Sequence, residues 1–270
     1  MGKIKKDSLG DRQKQYEAVY EHYLIPKLPF IIRVDGKAFH TYTRGFKKPF
    51  DDIMGKTMLE VTKKLCEDIP GAIFGFTQSD EITIVCRYTD RIKSQAWFGG
   101  RVEKIVAITA SKATKYFNKY FREEVENELM KISNTKQIAI YKNKTGDAEF
   151  DSRVFNIPEW DCINNVIWRQ QDTIRNSVEM VGHANFSAKE LNKVNCDKIK
   201  EKLLNKKGIN WENDFTPYQK YGACCYKKET TTNIKGNTVT RNTWFIADND
   251  QHIIQNERDW FSSVTGLKED

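Results

Sequence analysis

Two adjacent acids, Asp80 and Glu81, lie within FTQSDEITIVC (76–86), directly ahead of strand-forming residues, and a third, Asp35, ends another such run, FIIRVD (30–35). Either stretch alone reads as turn chemistry, because Ser and Asp hydrogen-bond locally to the backbone. Together the acids offer a metal site. Two carboxylates plus a backbone carbonyl such as that of Gly36 suit Mg²⁺, a hard cation that takes oxygen ligands and keeps other positions for water and substrate phosphates. Two such ions could activate an attacking oxygen and stabilise a leaving one in phosphoryl transfer. Glu81 is a supporting candidate beside them. The loop TYTRGFKKP (41–49) supplies Arg44, Lys47 and Lys48, and Arg101 and Lys104 open the next helical stretch. Cations and helix-start amides together could hold a triphosphate. His40 could stack on a base or serve as an ordinary core or surface residue.

The elements that must position these residues follow from hydrophobic period. In 30–35, Phe30, Ile32 and Val34 share one face while Ile31, Arg33 and Asp35 share the other, which predicts a strand ending on its polar face. From Asp51 to Asp68, Met54, Met58, Val61 and Leu65 recur at helical spacing with acids in the first turn. Pro70-Gly71 ends that helix, and 72–76 and 82–88 read as two strands joined by Thr77–Glu81. A long helix is predicted from Arg101 to about Glu128, and a fourth strand near 137–141 or 153–157. Strand, helix, strand, strand, helix, strand is the ferredoxin-like order, an antiparallel sheet with helices on one face and the other face open. It would carry the end of the first strand and the hairpin turn to one edge, so that Asp35 meets Asp80.

After residue 158 the pattern becomes helical, at 159–180 and 188–204, followed by a late hairpin built on 223–226 and 243–247. The fold class is therefore α+β, with 1–158 a catalytic unit and 159–270 a helical annex packed on it. Segment 187–207 carries seven Lys against three acids, which fits a solvated helix face. Among 270 residues, 44 Lys+Arg against 37 Asp+Glu give a net charge of +7, which favours polyanionic partners without proving one. Six cysteines without C-x-x-C spacing read as reduced thiols, and no zinc-ligand spacing is present. No run of about eighteen apolar residues exists to span a bilayer, so no membrane role is expected. The cytoplasm is the expected compartment, with mitochondria left open. P-loop, dinucleotide and serine-hydrolase motifs are missing.

Arg33-Val-Asp-Gly-Lys-Ala-Phe-His40, Phe46-Lys-Lys-Pro-Phe-Asp51 and Phe76-Thr-Gln-Ser-Asp-Glu81 resemble successive motifs of the histidine-tRNA guanylyltransferase family and its template-dependent 3′-to-5′ RNA polymerase relatives. The likeness continues through Trp97–Lys104, Trp168-Arg-Gln-Gln-Asp172 and Pro217-Tyr-Gln-Lys-Tyr-Gly222. It implies a polymerase-like palm that binds two Mg²⁺ ions and adds nucleotides to a tRNA 5′ end after activation, commonly by ATP, with GTP and other nucleoside triphosphates as substrates. By position, Asp35, Asp80 and the Gly36 carbonyl would hold the metals, with Glu81 in support. Ser79, Lys48, Arg101 and Lys104 would touch nucleotide phosphates, and His40 and Asp51 would lie near the activating nucleotide. Arg169, Arg175 and Asn176 would face tRNA, and the family's usual assembly is a homotetramer. Enzymes that guanylate histidine tRNA typically carry His-Ile-Asn-Asn where Ile174-Arg175-Asn176-Ser177 stands here. That departure is more similar to the relatives that repair or edit 5′-truncated tRNAs. Two other readings fit the same residues: a nucleotide cyclase on the same palm, and a noncatalytic RNA-binding sheet in which Phe74 and Phe76 stack bases.

Overall fold

The structure, a computed structural model, describes residues 8–88, 93–129, 135–234 and 237–268. In chain order the elements begin with α1 (Leu9–Ala18), β1 (Phe30–Gly36), the single turn α2 (Phe39–Tyr42), α3 (Asp52–Asp68), β2 (Ala72–Gln78) and β3 (Glu81–Cys86). They continue with α4 (Val102–Leu129), α5 (Thr135–Lys144), β4 (Phe150–Asn156), α6 (Cys162–Asn185), α7 (Ala188–Leu191), α8 (Cys196–Lys207), α9 (Trp211–Asp214) and α10 (Pro217–Tyr221). The hairpin β5 (Ala223–Ile234) and β6 (Asn237–Ala247) and the helix α11 (Arg258–Thr265) complete the chain.

One antiparallel sheet runs in the order β4-β1-β3-β2-β5-β6. Its first four strands have the ferredoxin-like arrangement. The fourth strand is Phe150–Asn156, paired to β1 from Phe30↔Asn156 to Gly36↔Phe150, whereas residues 137–141 belong to helix α5. The late hairpin is longer than its apolar ends suggest: the polar arms pair with each other, and Ala223–Tyr226 adds β5 to the edge of β2.

On one face, Phe30, Ile32, Val34, Ile82 and Ile84 pack against Met58, Val61 and Leu65 of α3 and Ile105, Ala113 and Phe117 of α4. The opposite face, expected to be open, is covered instead. Ile31, Phe74, Phe76 and Val85 point into a second core formed with Ile163, Val166 and Ile167 of α6 and Phe261 of α11. Phe74 and Phe76 are 0% and 3% exposed, so neither can stack a base. The reason is the alternation itself: the apolar residues on the second face of these strands need cover, and α6 presents its own apolar stripe to them. The predicted helix over 188–204 is two helices, because Ser187 and Asn195 each cap a fresh start, Ser187 in a capping box with Glu190. Among the described residues no helix is long and apolar enough to cross a membrane.

Candidate active site

The hairpin β2–β3 closes on Ser79-Asp80, with Gln78 opposite Glu81 and Ser79 in the left-handed region at φ 52°. β3 pairs with β1 so that Asp35 faces Glu81, and the Gly36 N–H donates to the Asp80 carbonyl at 3.1 Å. The turn thereby delivers Asp80 to the end of β1. Ser79 Oγ donates to Asp80 Oδ1 at 3.0 Å. Burial pushes the Asp80 carboxyl above the usual range against that hydrogen bond, and the Asp35 charge pushes it further. A partly buried carboxylate held beside a like charge is a setting in which a cation relieves both. Among the described residues no group of three or more His, Cys, Asp or Glu side chains is placed to hold a metal. Asp35, Asp80 and the Gly36 carbonyl offer oxygen donors only, a chemistry that fits a hard cation such as Mg²⁺.

Gly36 is required by packing. A Cβ there would lie 2.3 Å from the ring of Phe39, which is anchored among Tyr42, Phe117 and Phe150. That anchor fixes the turn from β1 into α2, leaving His40 exposed on the outer side. Lys48 and Lys104 are also exposed. Lys47 pairs with Asp52 at 2.8 Å.

Three expected site residues are engaged inside the protein. Asp51 caps α3, accepting from Met54 N at 3.0 Å, Lys47 N at 3.0 Å and the Tyr141 hydroxyl at 2.5 Å. Arg101 forms an ion pair with Glu21, donates to the Tyr23 hydroxyl at 3.2 Å and lies over its ring. Arg169 turns inward from α6: its Nε is 2.6 Å from Glu81 Oε1, and its Nη2 donates to Glu81 Oε2 at 3.0 Å and to Asp172 Oδ2 at 2.8 Å. Glu81 is thus held by a guanidinium; burial raises its carboxyl, and Arg169 and Arg33 oppose that rise. Arg175 is exposed and pairs with Asp172, and Asn176 donates to the same carboxylate at 3.4 Å.

Two further side chains lie close to this edge. Tyr218, in the Pro217–Gly222 segment, reaches the same edge; burial and the Asp80 charge raise its phenol. Its ring would stand 3.1 Å from a Cβ added at Gly55. Trp168 lies 5.9 Å from the Arg33 guanidinium and 4.5 Å from that of Arg169. The segments holding them carried a motif signal, but nothing local in either said which face they would meet.

A ferredoxin-like sheet with paired aspartates at its hairpin edge is the framework of a palm-type nucleotidyltransferase. A family model described as Thg1, tRNAHis guanylyltransferase, matches residues 10–158, over half of the chain, and the chain belongs to this family of nucleotidyltransferases. A bacterial tRNA(His) guanylyltransferase (Thg1)-like protein solved with ATP shares 36% identity at a TM-score of 0.80, over 97% of this chain and 100% of that one. Its counterpart solved with GTP shares 34% at a TM-score of 0.77, with the same coverage. An uncharacterized protein of Acanthamoeba polyphaga mimivirus is 31% identical over 87% of this chain and 82% of its own length.

Proposed function

We propose that the chain is a template-dependent 3′-to-5′ nucleotidyltransferase that activates the 5′ end of truncated tRNA with ATP and then adds nucleotides. The observation that carries this reading is the meeting of Asp35 and Asp80 at the hairpin edge, next to the loop that bears Lys48. Bound there by the two carboxylates and the Gly36 carbonyl, Mg²⁺ would supply the charge that holds an attacking 3′-oxygen and a leaving phosphate in line.

The chain's own residues do the positioning. Ser79 orients Asp80 through its hydroxyl and is within reach of a phosphate oxygen once a nucleotide enters. Lys48 meets triphosphate oxygens, whereas Arg101, paired with Glu21, and Lys104 lie towards the other end of β1, where Ile25 meets Asn156, away from Asp35. His40 lies by the activating nucleotide, while Asp51 acts at one remove, by holding the first turn of α3 and the Lys47 backbone. Arg169 serves the site from inside by fixing Glu81, which leaves Arg175 and Asn176 as the α6 groups that meet tRNA. Watson–Crick pairing with the opposite acceptor strand chooses the nucleotide. The working unit is a homotetramer, and a cytoplasmic enzyme fits its tRNA-processing relatives.

Guanylate addition to histidine tRNA is a second reading, favoured by the description of the matched family. Offering ATP, Mg²⁺ and labelled nucleotides to a 5′-truncated tRNA and to histidine tRNA separates them. Addition that follows the opposite template base on the truncated tRNA supports repair; guanylate addition confined to histidine tRNA contradicts it.

A further inference from the structure

Trp168 projects from α6 beside the active edge with 52% of its surface exposed, on the helix face that it shares with the exposed Gln171 and Arg175. Two guanidiniums flank its ring, Arg33 at 5.9 Å and Arg169 at 4.5 Å. Arg33 stands two residues before Asp35 on the same face of β1, and its Nε is buried without a hydrogen-bond partner among the described residues. Arg169 is locked to Glu81 and Asp172, so the indole is mounted on a fixed support. Across β1, Arg153 is 48% exposed and lies 3.8 Å from Asp35 and 3.3 Å from Asp151. An exposed π-face with cations around it, next to paired carboxylates, matches the chemistry of an unpaired nucleotide: a base to stack and a phosphate to neutralise.

We propose that Trp168 is the stacking platform for the first unpaired base of the RNA strand opposite the reacting 5′ end, with Arg33 and Arg153 facing its phosphate. This rests on the tRNA reading above. A 5′ end held at Asp35 and Asp80 puts the neighbouring 3′ overhang within reach of the exposed Trp168 and Arg153 at the margin of the α6-covered face, while the triphosphate loop lies on the α2 side. Trp168 would then position the template end and would not touch the incoming nucleotide.

The test uses the full chain and two RNA hairpins of acceptor sequence, one with 2-aminopurine as its first unpaired 3′ nucleotide and one trimmed blunt. Saturating wild-type protein should quench the 2-aminopurine fluorescence, and Trp168→Phe should retain most of the quenching. Trp168→Ala should abolish it, with affinity for the overhanging hairpin lowered about tenfold and affinity for the blunt hairpin and ATP unchanged. Trp168→Leu keeps apolar cover over Arg33 without a π-face, and should behave as Trp168→Ala does. Quenching that survives in the Ala and Leu variants, or an equal loss on both hairpins, overturns the assignment. A wild-type chain that binds neither RNA removes the tRNA reading itself; one that extends truncated tRNA without quenching removes only Trp168.

Discussion

Asp80 is under two opposing constraints, since the position proposed to serve a metal is partly buried and feels the charge of another carboxylate. With its carboxyl raised in the folded protein, this group contributes stability at low pH that is lost as pH rises through its folded value. Without metal, Asp80→Asn should therefore raise Tm near neutrality, by about 2–4 °C for each kcal/mol of relieved repulsion. Millimolar Mg²⁺ should stabilise the wild type more at pH 8 than at pH 5, because the metal competes with the proton for the same oxygen, and should not stabilise the Asn variant. Calorimetry across pH checks both signs; a variant less stable than wild type in the absence of metal contradicts the first. Asp35 and Asp80 were legible in the sequence because each ends or opens a strand, and the ferredoxin-like order joins those ends. The partner of Glu81 was not legible: Arg169 is 88 positions away, on a helix whose packing face was unknown.

At the scale of elements, α3 depends on Asp51. Its carboxylate takes the Met54 and Lys47 N–H groups and the Tyr141 hydroxyl, so Asp51→Ala removes a cap worth about 1 kcal/mol and also orphans a phenol on α5. A loss of about 2 kcal/mol in chemical denaturation is expected, with Asp51→Asn recovering most of it and tRNA extension falling only through the fraction folded. A normal Tm in Asp51→Ala with extension abolished would make Asp51 a nucleotide contact. The helix 52–68 could be read because its apolar period is strong and Pro70-Gly71 ends it. The fourth strand could not be fixed, since 137–141 and 153–157 are equally short and apolar, and pairing to β1 decides between them. The cover over the sheet's second face is hidden for a related reason: Ile31 shares its face of β1 with Arg33 and Asp35, and only the packing of α6 shows that face to be buried.

For the whole molecule, a net charge of +7 on 31.5 kDa is modest for a polymerase substrate as large as tRNA. Its basic residues are spread over α8, the β5–β6 hairpin and the 41–49 loop, so one tRNA should draw on more than one chain. Light scattering should give about four times the monomer mass, and a monomeric active enzyme would contradict the assembly. If about six phosphates are neutralised, affinity for tRNA should fall roughly 10³-fold between about 50 and 200 mM salt. A flat salt profile would argue against an RNA substrate.

The most direct test of the account is extension of a 5′-truncated tRNA by wild type, Asp35→Ala and Asp80→Ala in Mg²⁺, ATP and labelled nucleotides, with tRNA binding measured in parallel. Templated extension by the wild type, and its loss in both variants while tRNA binding persists, is the expected result. Extension that survives either substitution would contradict it.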